Sequence, residues 1–125
     1  MQTLKDLNDL RLYLITDRSL FKDQKYFLTA VEEALIGGVK ALQLREKDLP
    51  DSELTKLGIQ LRILTSNYKA KLIINSRADI AEKIGADGVH LTETSVHANE
   101  IKSSFPDLIV GVSTHSLEGA HLAET

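Results

Sequence analysis

Residues 71–91 read KLIINSRADIAEKIGADGVHL and hold one complete strand–helix–strand repeat. Lys71–Asn75 and Asp87–Leu91 are nearly continuous apolar runs, too short for helices, as strands buried on both faces must be. Between them Arg77–Ile84 carries a helical pattern. Ser76 and Asp79 stand at the spacing of a capping box, and Gly85 supplies the terminator. A helix between two buried strands implies a parallel pair joined by a right-handed crossover.

The same alternation extends in both directions. Further apolar runs fall at Arg11–Thr16, Gly38–Arg45 and Leu108–Ser113. Phe27, Val31, Ala34 and Leu35 recur at i, i+4, i+7 and i+8, and Gly37–Gly38 stop that helix. Leu54, Leu57, Leu61 and Leu64 form a second stripe, opened by Pro50 and a capping Asp51. Val96–Ser103 is a third helical stretch, ended by Pro106, and a last helix starts near Ser116. The order is βαβαβαβαβ with a final partial helix, and no linker or charge block divides residues 1–125, which read as a single domain. Two architectures fit this order: an open five-stranded flavodoxin-like sheet, or the first five strands of a (β/α)₈ TIM-type barrel. In either, ligands belong at the carboxyl ends of the strands.

Composition narrows the chemistry. The 125 residues include no cysteine, 42% hydrophobic residues and a net charge of −3 from 15 basic and 18 acidic side chains. Without cysteine there is no disulfide framework, redox thiol or thiolate zinc site, which fits a cytoplasmic protein. No apolar run approaches the ~18 residues of a membrane span, and the charged N-terminus does not read as a signal peptide. Scattered basic residues under a negative net charge argue against nucleic acid as a partner.

Alternate strand residues share a face, so the polar residues at the strand ends can be sorted by parity. Gln43 and Arg45 share a side in the second strand, Ile73 and Asn75 in the third, Gly88 and His90 in the fourth, and Gly111 and Ser113 in the fifth. Tyr13 and Ile15 form the matching pair on the first. A lone His or Asn at such a place is most often a satisfied core residue. Five large polar side chains from four strands, all in one parity class, call instead for a ligand as hydrogen-bonding partner. Arg45 and Lys47 lie beside them as candidate anion binders, so a small phosphorylated molecule is the expected ligand. No Walker loop, dinucleotide fingerprint, HExxH helix or GxSxG elbow is present. Glu32, Glu33, Glu82 and Glu100 read as helix-face charges, and His97 and His121 as solvated.

LYLITDR (12–18), QLREKDL (43–49), KLIINSRADIA (71–81), GADGVHL (85–91) and GVSTHS (111–116) together resemble the thiamine phosphate synthase/TenI family. The resemblance implies a (β/α)₈ barrel, of which this chain holds the N-terminal five strands. It also implies a site for a pyrimidine diphosphate or a thiazole phosphate. Gln43 is then expected at the pyrimidine, Arg45, Lys47 and Asn75 at the diphosphate, His90 beside the substrate, and Ser113 at the diphosphate or pyrimidine; Tyr13 joins the substrate-binding set through strand parity. Synthases in this family join the two ligands, releasing pyrophosphate, with magnesium held by two aspartates. Here those positions are Ser76 and Ser95, and a hydroxyl replaces a carboxylate poorly on a hard dication. Glu93 is one substitute carboxylate in reach.

The TenI branch, which resembles a metal-free thiazole tautomerase, fits this pattern better. It implies His115 as the catalytic proton carrier, a role suited to imidazole near neutrality. Three functions are therefore weighed: the tautomerase, with no cofactor; a synthase with a rebuilt magnesium site; and a non-catalytic ligand-binding or regulatory member. A five-strand piece exposes its edge strands and apolar faces, so self-association or pairing with a missing C-terminal half is expected, and the isolated chain is expected to be a poor enzyme.

Overall fold

A computed structural model describes residues 13–91 and 98–112. Five strands form one open sheet in the order β1 (Tyr13–Ile15), β2 (Ala41–Leu44), β3 (Lys71–Asn75), β4 (Gly88–Leu91) and β5 (Ile109–Val112). The ladders β1–β2, β3–β4 and β4–β5 are parallel, and the Lys71 N–H donates to the Lys40 carbonyl at 2.9 Å where β3 begins. A flavodoxin-like sheet runs 2-1-3-4-5, with the first strand inside. Here β1 is outermost and the order follows the chain, as in the wall of a barrel. No helix among the described residues is long and apolar enough to cross a membrane.

The chain divides into two compact units, Met1–Leu72 and Ile73–Thr125, with the boundary inside β3. In the first, helix α1 (Gln24–Ile36) starts where the Asp23 carboxylate accepts the Tyr26 N–H at 3.0 Å. It buries Phe27, Val31 and Leu35, while Ala34 is only partly covered. Gly38, at φ 113°, turns the chain towards β2 in a conformation that disfavours any side chain. Helix α2 (Asp51–Asn67) buries Leu54, Leu57, Gly58, Leu61 and Thr65. Thr65, not Leu64, completes that stripe, because 54, 58, 61 and 65 keep to one line of a 3.6-residue period. Its hydroxyl is satisfied within the helix, donating to the Leu61 carbonyl at 2.8 Å. Pro50, not Asp51, is the N-cap and makes no side-chain cap bond; Asp51 lies in the first turn, where its charge suits the helix dipole.

In the second unit, helix α3 (Ala78–Ile84) buries Ala78, Ile80 and Ala81 and ends at Gly85, φ 73°. The expected capping box does not form. Arg77 is the N-cap without a side-chain cap bond, Ser76 adopts φ 64°, and Asp79 pairs with the Arg77 guanidinium at 2.9 Å. Val89 and Leu91 of β4 are buried at 0% and 2% exposure. Gly88 sits in register between Ile73 and Ile109, and a Cβ there would lie 2.5 Å from the Ile109 carbonyl oxygen. Helix α4 covers Ala98–Ser104. Val96 and the helix expected near Ser116 lie outside the described residues.

Candidate functional site

In the first unit, strand register does what parity predicts. Tyr13 stands beside Ala41 and Ile15 beside Gln43. All four residues of β2 are buried, so Gln43, at 2% exposure, needs partners for its amide. Its Nε2 donates to the Tyr13 hydroxyl oxygen at 2.5 Å. Burial raises the Tyr13 phenol above its ordinary pKa, and the bond from Gln43 offsets part of that rise. A neutral phenol and a buried amide thus form a fixed hydrogen-bonding pair, suited to the polar edge of a heterocycle.

Past the end of β2, Arg45 and Lys47 are exposed while Glu46 between them turns inward, at 8% exposure. The Glu46 carboxylate accepts the Thr16 hydroxyl at 2.7 Å and the Arg18 N–H at 3.1 Å to each oxygen. Thr16 also accepts the Arg45 N–H on its hydroxyl oxygen at 3.0 Å, and its own N–H donates to the Gln43 carbonyl at 2.9 Å. The Arg18 guanidinium reaches Asp48 at 2.8 Å, while its buried Nε, 3.8 Å from Glu46, makes no hydrogen bond. Both acidic residues adjoining the two cations are therefore engaged with Thr16 and Arg18. Among the described residues the Arg45 guanidinium and Lys47 ammonium have no ion-pair partner, which leaves a positive patch able to take an anion as a fork and a point charge. Thr16, Arg18 and Glu46 were not singled out from the sequence. The available signal was a carboxylate set between two cations, which a purely electrostatic anion site would avoid.

In the second unit, Asn75, His90 and Gly111 are in register across β3, β4 and β5. Asn75 and His90 are partly buried. The Ser76 N–H donates to the His90 carbonyl at 2.8 Å, and the Ser76 hydroxyl donates to Asn75 Oδ1 at 3.2 Å. A Cβ on residue 111 would come within 3.3 Å of His90 Nδ1, so Gly111 gives the imidazole its space. Ser113, Ser95, Glu93 and the expected catalytic His115 lie outside the described residues. Among the described residues no group of three or more His, Asp or Glu side chains could hold a metal ion. The turn after β3 offers a hydroxyl already bonded to Asn75 where magnesium would need a carboxylate, so this part of the site does not fit that ion.

A parallel five-stranded sheet whose order follows the chain, as in a barrel wall, defines a β/α protein of the barrel class. The chain belongs to the thiamine monophosphate synthase family, whose model matches residues 12–125. It is 52% identical over 114 residues to a putative thiamine-phosphate synthase 2 of Aquifex aeolicus, covering 91% of this chain and 60% of that protein. It is 42% identical over 119 residues to a thiamine-phosphate synthase of Clostridium acetobutylicum, covering 93% of this chain and 55% of that one. A solved thiamine phosphate pyrophosphorylase from Pyrococcus furiosus superposes with a TM-score of 0.81 at 41% identity, covering 90% of this chain and 54% of that structure. The chain thus spans little more than half the length of the relatives it matches.

Proposed function

We propose that this chain supplies the phosphate- and heterocycle-binding N-terminal part of a thiamine-biosynthetic barrel that acts on a thiazole phosphate by metal-independent proton transfer. Arg45 and Lys47 hold the phosphate, assisted by Asn75. The Tyr13–Gln43 pair and His90 orient the ring, Ser113 adds a hydroxyl, and His115 carries the proton that aromatises the thiazole. A reaction of this kind requires ligand placement and a proton carrier, not neutralisation of a departing diphosphate. The carrying observation is Ser76: its hydroxyl, bonded to Asn75, occupies the turn where the family's synthases use a magnesium carboxylate.

A second reading, thiamine phosphate synthase, is favoured by the names of the relatives, two of which are called thiamine-phosphate synthase or its putative form at 42% and 52% identity. The two readings separate in one pair of assays on the protein. The tautomerase reading expects conversion of the carboxylated thiazole tautomer at an unchanged rate in EDTA, and loss of that rate in His115→Ala. Magnesium-dependent formation of thiamine phosphate from pyrimidine diphosphate and thiazole phosphate would replace it with the synthase. Ligand binding with neither turnover would make the protein a non-catalytic member.

A further inference from the structure

We propose that Thr16 and Glu46 are positioning residues that set the anion site by clamping the exit of β2 to the exit of β1. The inference rests on the reading of Arg45 and Lys47 as the phosphate-holding pair. Thr16 touches β2 and its continuation at three successive places: its N–H bonds the Gln43 carbonyl, its hydroxyl oxygen accepts the Arg45 N–H, and its hydroxyl hydrogen goes to Glu46. A threonine hydroxyl has one hydrogen and two lone pairs, so the donation to Glu46 leaves the oxygen oriented to receive Arg45. Glu46 in turn ties the Arg18 backbone to the same point through both carboxylate oxygens.

The side chains of the clamp are buried, Thr16 at 6% and Glu46 at 8% exposure, while Arg45 and Lys47 on either side of Glu46 are exposed. With Glu46 held inward by these bonds, its two cationic neighbours are left on the outside of the turn. The carboxylate is spent on hydrogen bonds to β1's exit and does not neutralise the cations whose placement it fixes. A loop free to move would let Arg45 fold back onto Glu46 or Asp48; the clamp stores the cation–anion geometry before ligand arrives.

The test is binding of inorganic pyrophosphate to the full chain by titration calorimetry, together with amide hydrogen exchange at Arg45. Thr16→Val keeps shape but removes the hydroxyl; it is expected to speed Arg45 amide exchange and weaken pyrophosphate about three- to tenfold. Thr16→Ser, which keeps the hydroxyl, is expected to bind as the parent does. In an Arg45→Ala background Thr16→Val should cost nothing further, because the clamp acts through Arg45. Glu46→Gln, with one acceptor oxygen fewer, should fall between parent and Thr16→Val, and it serves as the readout if Thr16→Val does not fold. Equal losses from Thr16→Val with and without Arg45, or unchanged Arg45 exchange, would overturn the clamp while leaving the anion site standing. If the parent binds no pyrophosphate, or Arg45→Ala binds it equally well, the anion reading falls and the clamp with it.

Discussion

The Ser76 hydroxyl donates to Asn75 Oδ1 at 3.2 Å from a backbone turned to φ 64°, in the left-handed region. Asn and Asp are enriched several-fold among non-glycine residues in that conformation, and serine is not among the residues that favour it. The turn therefore has a shape that suits an aspartate, occupied by a hydroxyl that replaces a carboxylate poorly on magnesium. Ser76→Asp is expected to fold with stability within about 1 kcal/mol of the parent, whereas Ser76→Val should lose about 1–2 kcal/mol or more from the β-branched strain. With pyrophosphate present, magnesium should raise the melting temperature of Ser76→Asp and leave that of the parent unmoved. Equal magnesium responses in the two would show that residue 76 does not control metal binding.

Two glycines of the second unit separate a packing role from a site role. A Cβ on Gly88 would lie 2.5 Å from a backbone oxygen of Ile109, which cannot move aside as a side-chain tip can. Gly88→Ala should cost about 1–3 kcal/mol in urea unfolding. Among the described residues a Cβ on Gly111 would meet the His90 ring alone, at 3.3 Å, and a ring can rotate. Gly111→Ala should change stability by less than about 1 kcal/mol yet displace the histidine, seen as a shifted His90 imidazole resonance and weaker ligand binding. A larger stability loss at 111 than at 88 would reverse this assignment.

How far the sequence could be read follows from where periodic rules apply. Strand positions and facing were legible because buried parallel strands are nearly continuous apolar runs whose residues alternate between two faces; β3 coincides with Lys71–Asn75 as read from the sequence, and the register pairs Ile15 with Gln43 and Asn75 with His90 as parity requires. Periodicity alone left the strand order open, since the same βα alternation serves barrels and doubly wound sheets; the family motifs implied the barrel order that the sheet has. Past the strand ends, period-2 reasoning stops, and there the Thr16–Glu46 bond joins residues 30 apart in the chain. The capping box failed for a local reason: Arg77, two residues from Asp79, engages its carboxylate, and the left-handed Ser76 spends its hydroxyl on Asn75.

The Tyr13 phenol gives a spectroscopic check on the heterocycle-binding pair. Burial holds its pKa above the ordinary value of 10.0 against the smaller opposing effect of Gln43. A raised folded-state pKa means the folded chain keeps its proton longer than the unfolded chain. The associated stability is thus complete below about pH 10 and is lost as pH rises through the folded value. Tyr68 is also shifted upward, chiefly by its hydrogen bond to Glu32, so the Tyr13 contribution must be isolated by difference. The ultraviolet titration of Tyr13→Phe should lack one late-titrating phenol relative to the parent. Gln43→Leu should move that phenol higher still, because it removes the bond that lowers it. An early-titrating difference signal would place Tyr13 in water and dissolve the pair.

The acidic limb of the pH profile has a separate source. The Arg77 guanidinium, donating to Asp79 at 2.9 and 3.2 Å, holds that carboxyl below its ordinary value of 3.8, against a smaller contrary effect of desolvation. A depressed folded-state pKa contributes stability that is present above the unfolded value and disappears as pH falls through the folded one. The pair is largely solvent-exposed, with Asp79 at 63%, so its worth is about 0.2–1 kcal/mol. Asp79→Asn should lower stability by that amount at neutral pH, and its difference from the parent should shrink as pH falls below the ordinary carboxylate value.

Each unit also leaves an isoleucine of the site-bearing strand rows open to solvent. Ile15, in register with Gln43, is 47% exposed; Ile109, in register with Gly88, is 52% exposed. Residues one position away, Leu42, Leu72, Ile74 and Val89, are at 0%, so the sheet buries one set of alternate residues far more completely than the other. Open sheets with apolar residues on show recruit further chain, and a closed barrel would pack these positions into its interior layers. The full chain is expected to associate with itself in light scattering at high concentration. Burying one isoleucine is worth about 1.5–3 kcal/mol, so Ile15→Lys or Ile109→Lys should weaken association about tenfold to a hundredfold. A monodisperse parent monomer under the same conditions would remove the basis for that expectation, and unchanged association in both variants would place the contact on another surface.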